Sequence, residues 1–92
     1  TTLQIVSTGT PALNGTYAID AGTLARLAEI VEGLQVTGAF PDGLSALPWP
    51  DASGAMHDFP TTASFIAFAE AVENYVVASN LGQTPATPVT MA

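Results

Sequence analysis

The residues after Pro60 carry apolar side chains at helical spacing, and this stripe constrains the fold more than any other feature of the chain. Thr61 is a good N-cap, because its hydroxyl accepts a hydrogen bond from a backbone N–H in the first turn of a helix. The apolar positions that recur at intervals of three and four are Phe65, Phe68, Ala69, Val72, Tyr75 and Val76. Glu70 and Glu73 fall outside this stripe, as expected of a solvated face. The spacing therefore predicts an amphipathic helix that begins after Thr61 and ends near Gly82.

A second stripe with the same spacing predicts an earlier helix. Its members are Leu24, Leu27, Ala28, Val31 and Leu34. Asp20 stands at the N-cap position, where its carboxylate accepts from backbone N–H groups two or three residues further on. Gly38 suits the left-handed conformation that ends many helices, and Pro41 lies beyond it as a further helix breaker. We expect this helix to end near Gly38.

Four short segments have the composition of β-strands and form two candidate hairpins. Leu3–Val6 and Thr16–Ile19 are rich in branched or aromatic side chains. They flank the loop Ser7–Gly15, which ends in an Asn-Gly pair that readily takes positive φ. Leu47–Pro50 and Met56–Phe59 form the second pair, and the prolines of the first segment confine it to a sheet edge.

The turn of the second hairpin fixes which residues face each other. Asp51 at its first position and Gly54 at its end suit a type I turn followed by a glycine bulge. This turn pairs residues on one face of the hairpin: Trp49 with His57, and Leu47 with Phe59. A two-residue turn would instead pair Trp49 with Met56. We favour the bulge.

The order of these elements predicts an α+β, two-layer domain, β-hairpin–α–β-hairpin–α, over residues 1–82. Residues 83–92 contain Thr, Pro and Ala without charge, and we expect an extended tail. A domain of 92 residues buries only roughly 60–65% of its unfolded surface, so its stability is expected to be marginal without neighbours. The opening Thr1-Thr2 is what methionine trimming leaves, and a removed leader would leave the same start; of the two we expect a complete small protein.

Composition excludes several classes of partner. The chain has 8 Asp and Glu against the single cation Arg26, which gives a formal charge of −7. Nucleic acid is therefore not expected as a ligand, since affinity for phosphates comes from clustered Lys and Arg. No apolar run is long enough to cross a bilayer, so no membrane partner is expected. The absence of Cys removes thiolate catalysis, disulfides and zinc knuckles.

His57 is the only histidine, and a hydrolytic set can be drawn around it. His57-Asp58 beside Ser53 or Ser45 supplies the residue types of such a set, but no nucleophile elbow is present. We favour the structural alternative, in which the histidine belongs to the hairpin and packs against Trp49.

Other potential ligand groups are incomplete. Glu29 with Glu32, and Glu70 with Glu73, are i, i+3 neighbours on helices that contain no histidine, as expected of solvated faces. Asp51–Gly54 has part of a calcium loop but lacks the remaining ligands and the closing glutamate. We therefore predict no catalytic residue, no cofactor, no metal site and no enzymatic activity.

Several of these segments together resemble a small domain of unknown function found in tailed-bacteriophage and prophage proteins, often attached to tail-fibre or tail-assembly polypeptides. The residues that carry the resemblance, within roughly 16–80, are Tyr17-Ala18-Ile19-Asp20, Phe40-Pro41-x-Gly43, Trp49-Pro50-Asp51-Ala52-Ser53-Gly54, His57-x-Phe59-Pro60-Thr61 and Phe65-x-x-Phe68-Ala69-x-Ala71-Val72-x-x-Tyr75-Val76. The resemblance implies a virion component with a structural or attachment role and no catalytic residues.

The sequence also carries more apolar surface than one small core requires. Ile66 and Val77 widen the arc of the second helix, which points towards a partner. Trp49 between two prolines is a common docking feature, although we favour a place for it in the core. The interface candidates are Trp49, Ile66, Val77, Pro85, Pro88, Val89 and Met91.

The resemblance implies, and these features are compatible with, a bacteriophage virion structural protein, a small accessory subunit of the particle surface or tail with a decoration, fibre or attachment role. Its partners would be other virion proteins or copies of itself, and it would be assembled into the virion in the bacterial host cytoplasm. The alternative is an acidic inhibitor or DNA mimic that blocks a nucleic-acid-binding partner. That alternative is weaker, because eight acids spread along the chain do not form dense rows.

Overall fold

The computed structural model of the protein describes residues 1–91 and is a mixed α+β domain. Its elements, in chain order, are β1 (Thr2–Ser7), β2 (Gly15–Ala18), α1 (Ala21–Thr37), β3 (Leu47–Pro50), β4 (Met56–Phe59), α2 (Thr62–Asn80) and β5 (Val89–Met91). Short 3₁₀ turns occupy Pro11–Leu13 and Pro41–Gly43. The predicted α+β class, with the order hairpin, helix, hairpin, helix, is confirmed.

The strands lie in two small sheets. One has the order β2-β1-β5 and the other contains β3 and β4. Pro48 and Pro50 lack the N–H donors that a further strand would need along β3. The N–H of Ala52, in the turn after β3, donates to the carbonyl of Thr16 in β2 at 2.8 Å. The two hairpins therefore meet at this turn while keeping separate sheets.

The register of the second hairpin confirms the bulged turn. Trp49 lies opposite His57, and Leu47 lies opposite Phe59. The N–H of Gly54 donates to the Asp51 carbonyl at 3.0 Å, and Gly54 has a φ of +92°. A glycine tolerates that φ because it has no Cβ. The alternative pairing of Trp49 with Met56 is not formed.

Both helices begin where side chains cap them. Asp20 accepts from the Thr23 N–H at 2.9 Å and starts α1, which ends at Gly38 with a φ of +70°. Thr61 accepts from the Ser64 N–H at 3.1 Å, and the Ser64 hydroxyl accepts from the Thr61 N–H at 3.3 Å. This reciprocal capping box satisfies two N–H groups at the start of α2.

The core is built around α2. The buried side chains of this helix are Phe65, Phe68, Ala69 and Val72. Phe65 meets the Phe59 ring edge-on with centroids 5.1 Å apart, and Phe68 lies 4.8 Å from the Tyr17 ring. Helix α1 contributes less, since its fully buried side chains are Leu27 and Leu34. The aromatic residues of α2 thus join both hairpins into one core.

The chain beyond residue 82 differs from the predicted tail. Val89–Met91 forms β5, which pairs in parallel with β1 so that Ile5 lies opposite Val89 and Ser7 lies opposite Met91. The Met91 side chain is buried in the core. The boundary at residue 82 therefore does not end the domain, which continues to residue 91; the last position of the predicted tail, residue 92, lies outside the described residues. The segment was missed because three residues are too few for a periodic signal.

Candidate functional site

Two of the predicted interface residues lie in the core. The Trp49 side chain is only 6% exposed and packs edge-on against Phe65, with ring centroids 5.6 Å apart. Met91 is buried through its place in β5. Neither side chain is available for docking. For Trp49 this is the core position that the sequence also favoured.

The remaining candidates lie at or near the surface. Ile66 and Val89 are half-buried and pack against the core. Pro85 and Val89, with Pro88 between them, line a groove of about 350 Å³ against Tyr75 of α2. The structure therefore brings the carboxyl-terminal candidates together, but it places them against α2 of the same chain.

Val77 is a candidate on α2 whose side chain is mostly exposed. Its side chain is 56% exposed, and Leu81, which lies one turn further along, is 71% exposed. Side chains four residues apart share a face at the end of a helix. We call Val77 and Leu81 the α2-end patch. Sequence reasoning missed Leu81, although its i+4 spacing from Val77 was a usable signal.

A second groove, which sequence reasoning also missed, lies along α1. It has a volume of about 350 Å³ and is lined by Glu29 together with Ile30, Gly33, Leu34, Thr37, Ala39 and Pro41. We call it the α1 groove. Most of its lining side chains are apolar, and Gly33 leaves space in its wall, since a Cβ built there meets nothing within 4 Å. No periodic signal marks such a groove, because it depends on how the chain after α1 folds back.

A cluster of polar groups surrounds His57. Its Nε2 lies 2.9 Å from a carboxylate oxygen of Asp51, and its Nδ1 lies 2.9 Å from the carbonyl oxygen of Ala12. The Tyr17 ring is 5.4 Å away, and the Tyr17 hydroxyl donates to the Leu13 carbonyl at 2.6 Å. These contacts join the turn of the second hairpin to the loop of the first.

The partners of His57 favour its charged form. Both ring nitrogens face acceptors, so only the doubly protonated imidazolium donates at both positions. The Ala12 carbonyl, followed by the Asp51 carboxylate, raises the pKa of His57 above its ordinary value. Hydrogen bonds from the Ser53 hydroxyl, and then from His57, hold the pKa of Asp51 well below its ordinary value. Burial, followed by the Asp51 charge, raises the pKa of Tyr17 to about 12.

This arrangement differs from the hydrolytic set considered from the sequence. The carboxylate on His57 belongs to Asp51 and not to Asp58. The Ser53 hydroxyl donates to Asp51 at 2.6 Å, so the carboxylate stands between the serine and the imidazole. A serine nucleophile needs an imidazole nitrogen free to take its proton, and both nitrogens of His57 are engaged. The cluster therefore braces the two hairpins: the Tyr17 ring lies against the imidazole, and Trp49 lies opposite His57 across the second hairpin.

The carboxylate pairs of the helices remain on the surface. Glu29, Glu32, Glu70 and Glu73 are all exposed. Within residues 1–91, no group of three or more His, Cys, Asp or Glu side chains is placed to hold a metal ion. Over the same residues, neither helix combines the length and the apolar character needed to cross a bilayer.

Comparisons with known proteins found no match for the chain: no family model, no curated protein and no solved structure matches it.

Proposed function

We propose that this chain is a structural accessory subunit of a bacteriophage virion, at the particle surface or tail, and that it acts by packing against other proteins. The observation that carries the proposal is the α2-end patch, where Val77 and Leu81 are 56% and 71% exposed. Leu81 follows a helix whose two phenylalanine side chains are packed inside, and its own side chain stays outside that core. Exposed apolar side chains on one face are typical of contact surfaces.

The charge of the chain supports a protein partner. A formal charge of −7 with one Arg disfavours phosphate backbones and favours basic protein surfaces. An acidic subunit can therefore sit in a particle without adhering to the packaged DNA. The resemblance of residues 16–80 to a domain of tailed phages supports the choice of a virion among possible assemblies.

Incorporation of variants into particles tests this function. We would express Val77→Ser combined with Leu81→Ser in cells producing the phage or prophage that encodes the chain. The particles would then be purified and the copy number of the chain measured by mass spectrometry. We expect the double variant to be depleted at least about tenfold relative to the unchanged chain, because a few side chains that become buried in an interface carry most of its affinity.

Met56→Ser is the matched control. Met56 is also exposed, at 58%, but it lies on β4 and outside the α2-end patch. We expect it to be incorporated normally, with thermal unfolding confirming that all variants fold. Equal incorporation of the double variant, or absence of the unchanged chain from particles, would contradict the proposal.

A further inference from the structure

The α1 groove has the dimensions and lining of a small docking site. Its volume of about 350 Å³ lies within the range of ligand-binding clefts. The partly buried Ile30 supplies apolar surface inside it, the buried Leu34 forms part of its floor, and the missing side chain of Gly33 leaves it open. Val36, three residues after Gly33, is 81% exposed and adds apolar surface at the end of α1.

The surroundings of this groove carry negative charge that no ion pair neutralises within residues 1–91. Glu29 lines the groove, and Glu32 is exposed on the same helix. The last turn of α1 contains no basic residue, so the partial negative charge of the helix carboxyl end is not offset there. Arg26 lies one turn before Glu29, but within residues 1–91 the only ion pair joins His57 to Asp51. Glu29 therefore has no cationic partner among the described residues.

We infer that the α1 groove binds a short segment of a partner protein in which apolar side chains lie next to Lys or Arg. The apolar side chains would enter beside Ile30 and Leu34, and the cation would meet Glu29 and the carboxyl end of α1. This inference deepens the proposed packing role, on which it rests, by naming the chemistry of one partner. Charge complementarity selects a basic segment, because the chain as a whole carries −7.

Three variants distinguish binding at the α1 groove from binding elsewhere on the molecule. Gly33→Leu fills the groove, and no atom within 4 Å opposes the added Cβ. Ala28→Leu adds the same bulk at an exposed position of α1 outside the groove and is the matched control. Glu29→Gln removes the charge while keeping the shape of the side chain.

The probe is a synthetic, capped peptide with the central sequence Lys-Leu-Leu-Lys, flanked by Gly and Ser. Two comparison peptides replace its Lys residues by Glu or its Leu residues by Ser. Binding to the ¹⁵N-labelled full chain is followed by NMR. We expect saturable shifts at the backbone amides of Ile30, Gly33, Leu34 and Thr37 with the first peptide only.

The variants then test the contacts individually. Gly33→Leu is expected to weaken binding about tenfold, because it occupies the space of an anchor side chain. Glu29→Gln is expected to weaken it about threefold and to reduce its salt dependence, as for an exposed ion pair. Ala28→Leu is expected to bind like the unchanged chain.

Two results would overturn the inference. One is binding of the Glu peptide as tight as that of the Lys peptide, and the other is the absence of shifts at the groove with any peptide. Either result leaves the proposed virion role standing as long as the chain is incorporated into particles. Conversely, peptide binding at the groove by a chain that is absent from particles would refute only the virion role.

Discussion

At the scale of single residues, the His57 cluster is a structural contact between hairpins. Its two hydrogen bonds reach Asp51 in one turn and Ala12 in another loop, so the imidazolium holds two distant parts of the chain together. Gly15 lies against the same ring, since a Cβ built there would stand 3.2 Å from Nε2. His57 thus contacts residues of both hairpins.

The charge of His57 makes stability depend on pH. The folded pKa of His57 lies above its ordinary 6.5, so its contribution is fully present below pH 6.5 and is lost as pH rises through the folded value. The Asp51 pKa is lowered, so its contribution is present above 3.8 and is lost as pH falls towards the folded value. Asp51 and Tyr17 are the titratable groups that face the imidazole. Stability from this cluster should therefore be greatest between pH 3.8 and 6.5.

Urea unfolding of the unchanged chain and of His57→Gln checks this expectation. The urea midpoint of the unchanged chain should fall from about pH 6 to about pH 8, and His57→Gln should lose most of that slope. The Gln side chain retains hydrogen-bonding capacity but does not titrate. An equal slope in both proteins would show that His57 is not the group responsible.

At the scale of elements, local signals were sufficient for the helices and hairpins. Asp20 and Thr61 predict the starts of the helices. A cap and the N–H group it accepts from are three residues apart, so the signal is visible in a short stretch of sequence. The register across β3 and β4 was predictable because it follows from the type of the short turn that begins at Asp51. Strand β5 could not be found in this way, because its partner β1 lies at the other end of the chain.

The place of β5 in the core predicts unequal effects of two neighbouring substitutions. Met91→Ala should lower the free energy of unfolding by about 2–3 kcal/mol, because it leaves a cavity beneath the sheet. Thr90→Ala changes an exposed side chain of the same strand and should alter it by less than about 0.5 kcal/mol. Denaturant unfolding at a fixed pH measures both. Equal and small effects would show that β5 is not docked in solution.

At the scale of the whole molecule, the chain combines a core rich in aromatic side chains with a surface that has few charged residues. Trp49 and Met91 are buried in this core. A small domain buries a smaller fraction of its surface than a large one, so its stability depends on burying its largest apolar side chains. What remains outside is acidic, with apolar side chains at the ends of both helices, namely Val36 on α1 and Val77 and Leu81 at α2. The sequence indicated a surplus of apolar surface, but only the folded arrangement separates the surplus from the core.

An electron cryomicroscopy map of the purified particle would show whether the domain is a virion subunit that packs through its α2-end patch. We expect density for this domain at repeated positions, with Val77 and Leu81 covered by a neighbouring protein chain. A particle whose map and protein composition both lack the domain, or a bound domain whose α2-end patch faces solvent, would contradict it.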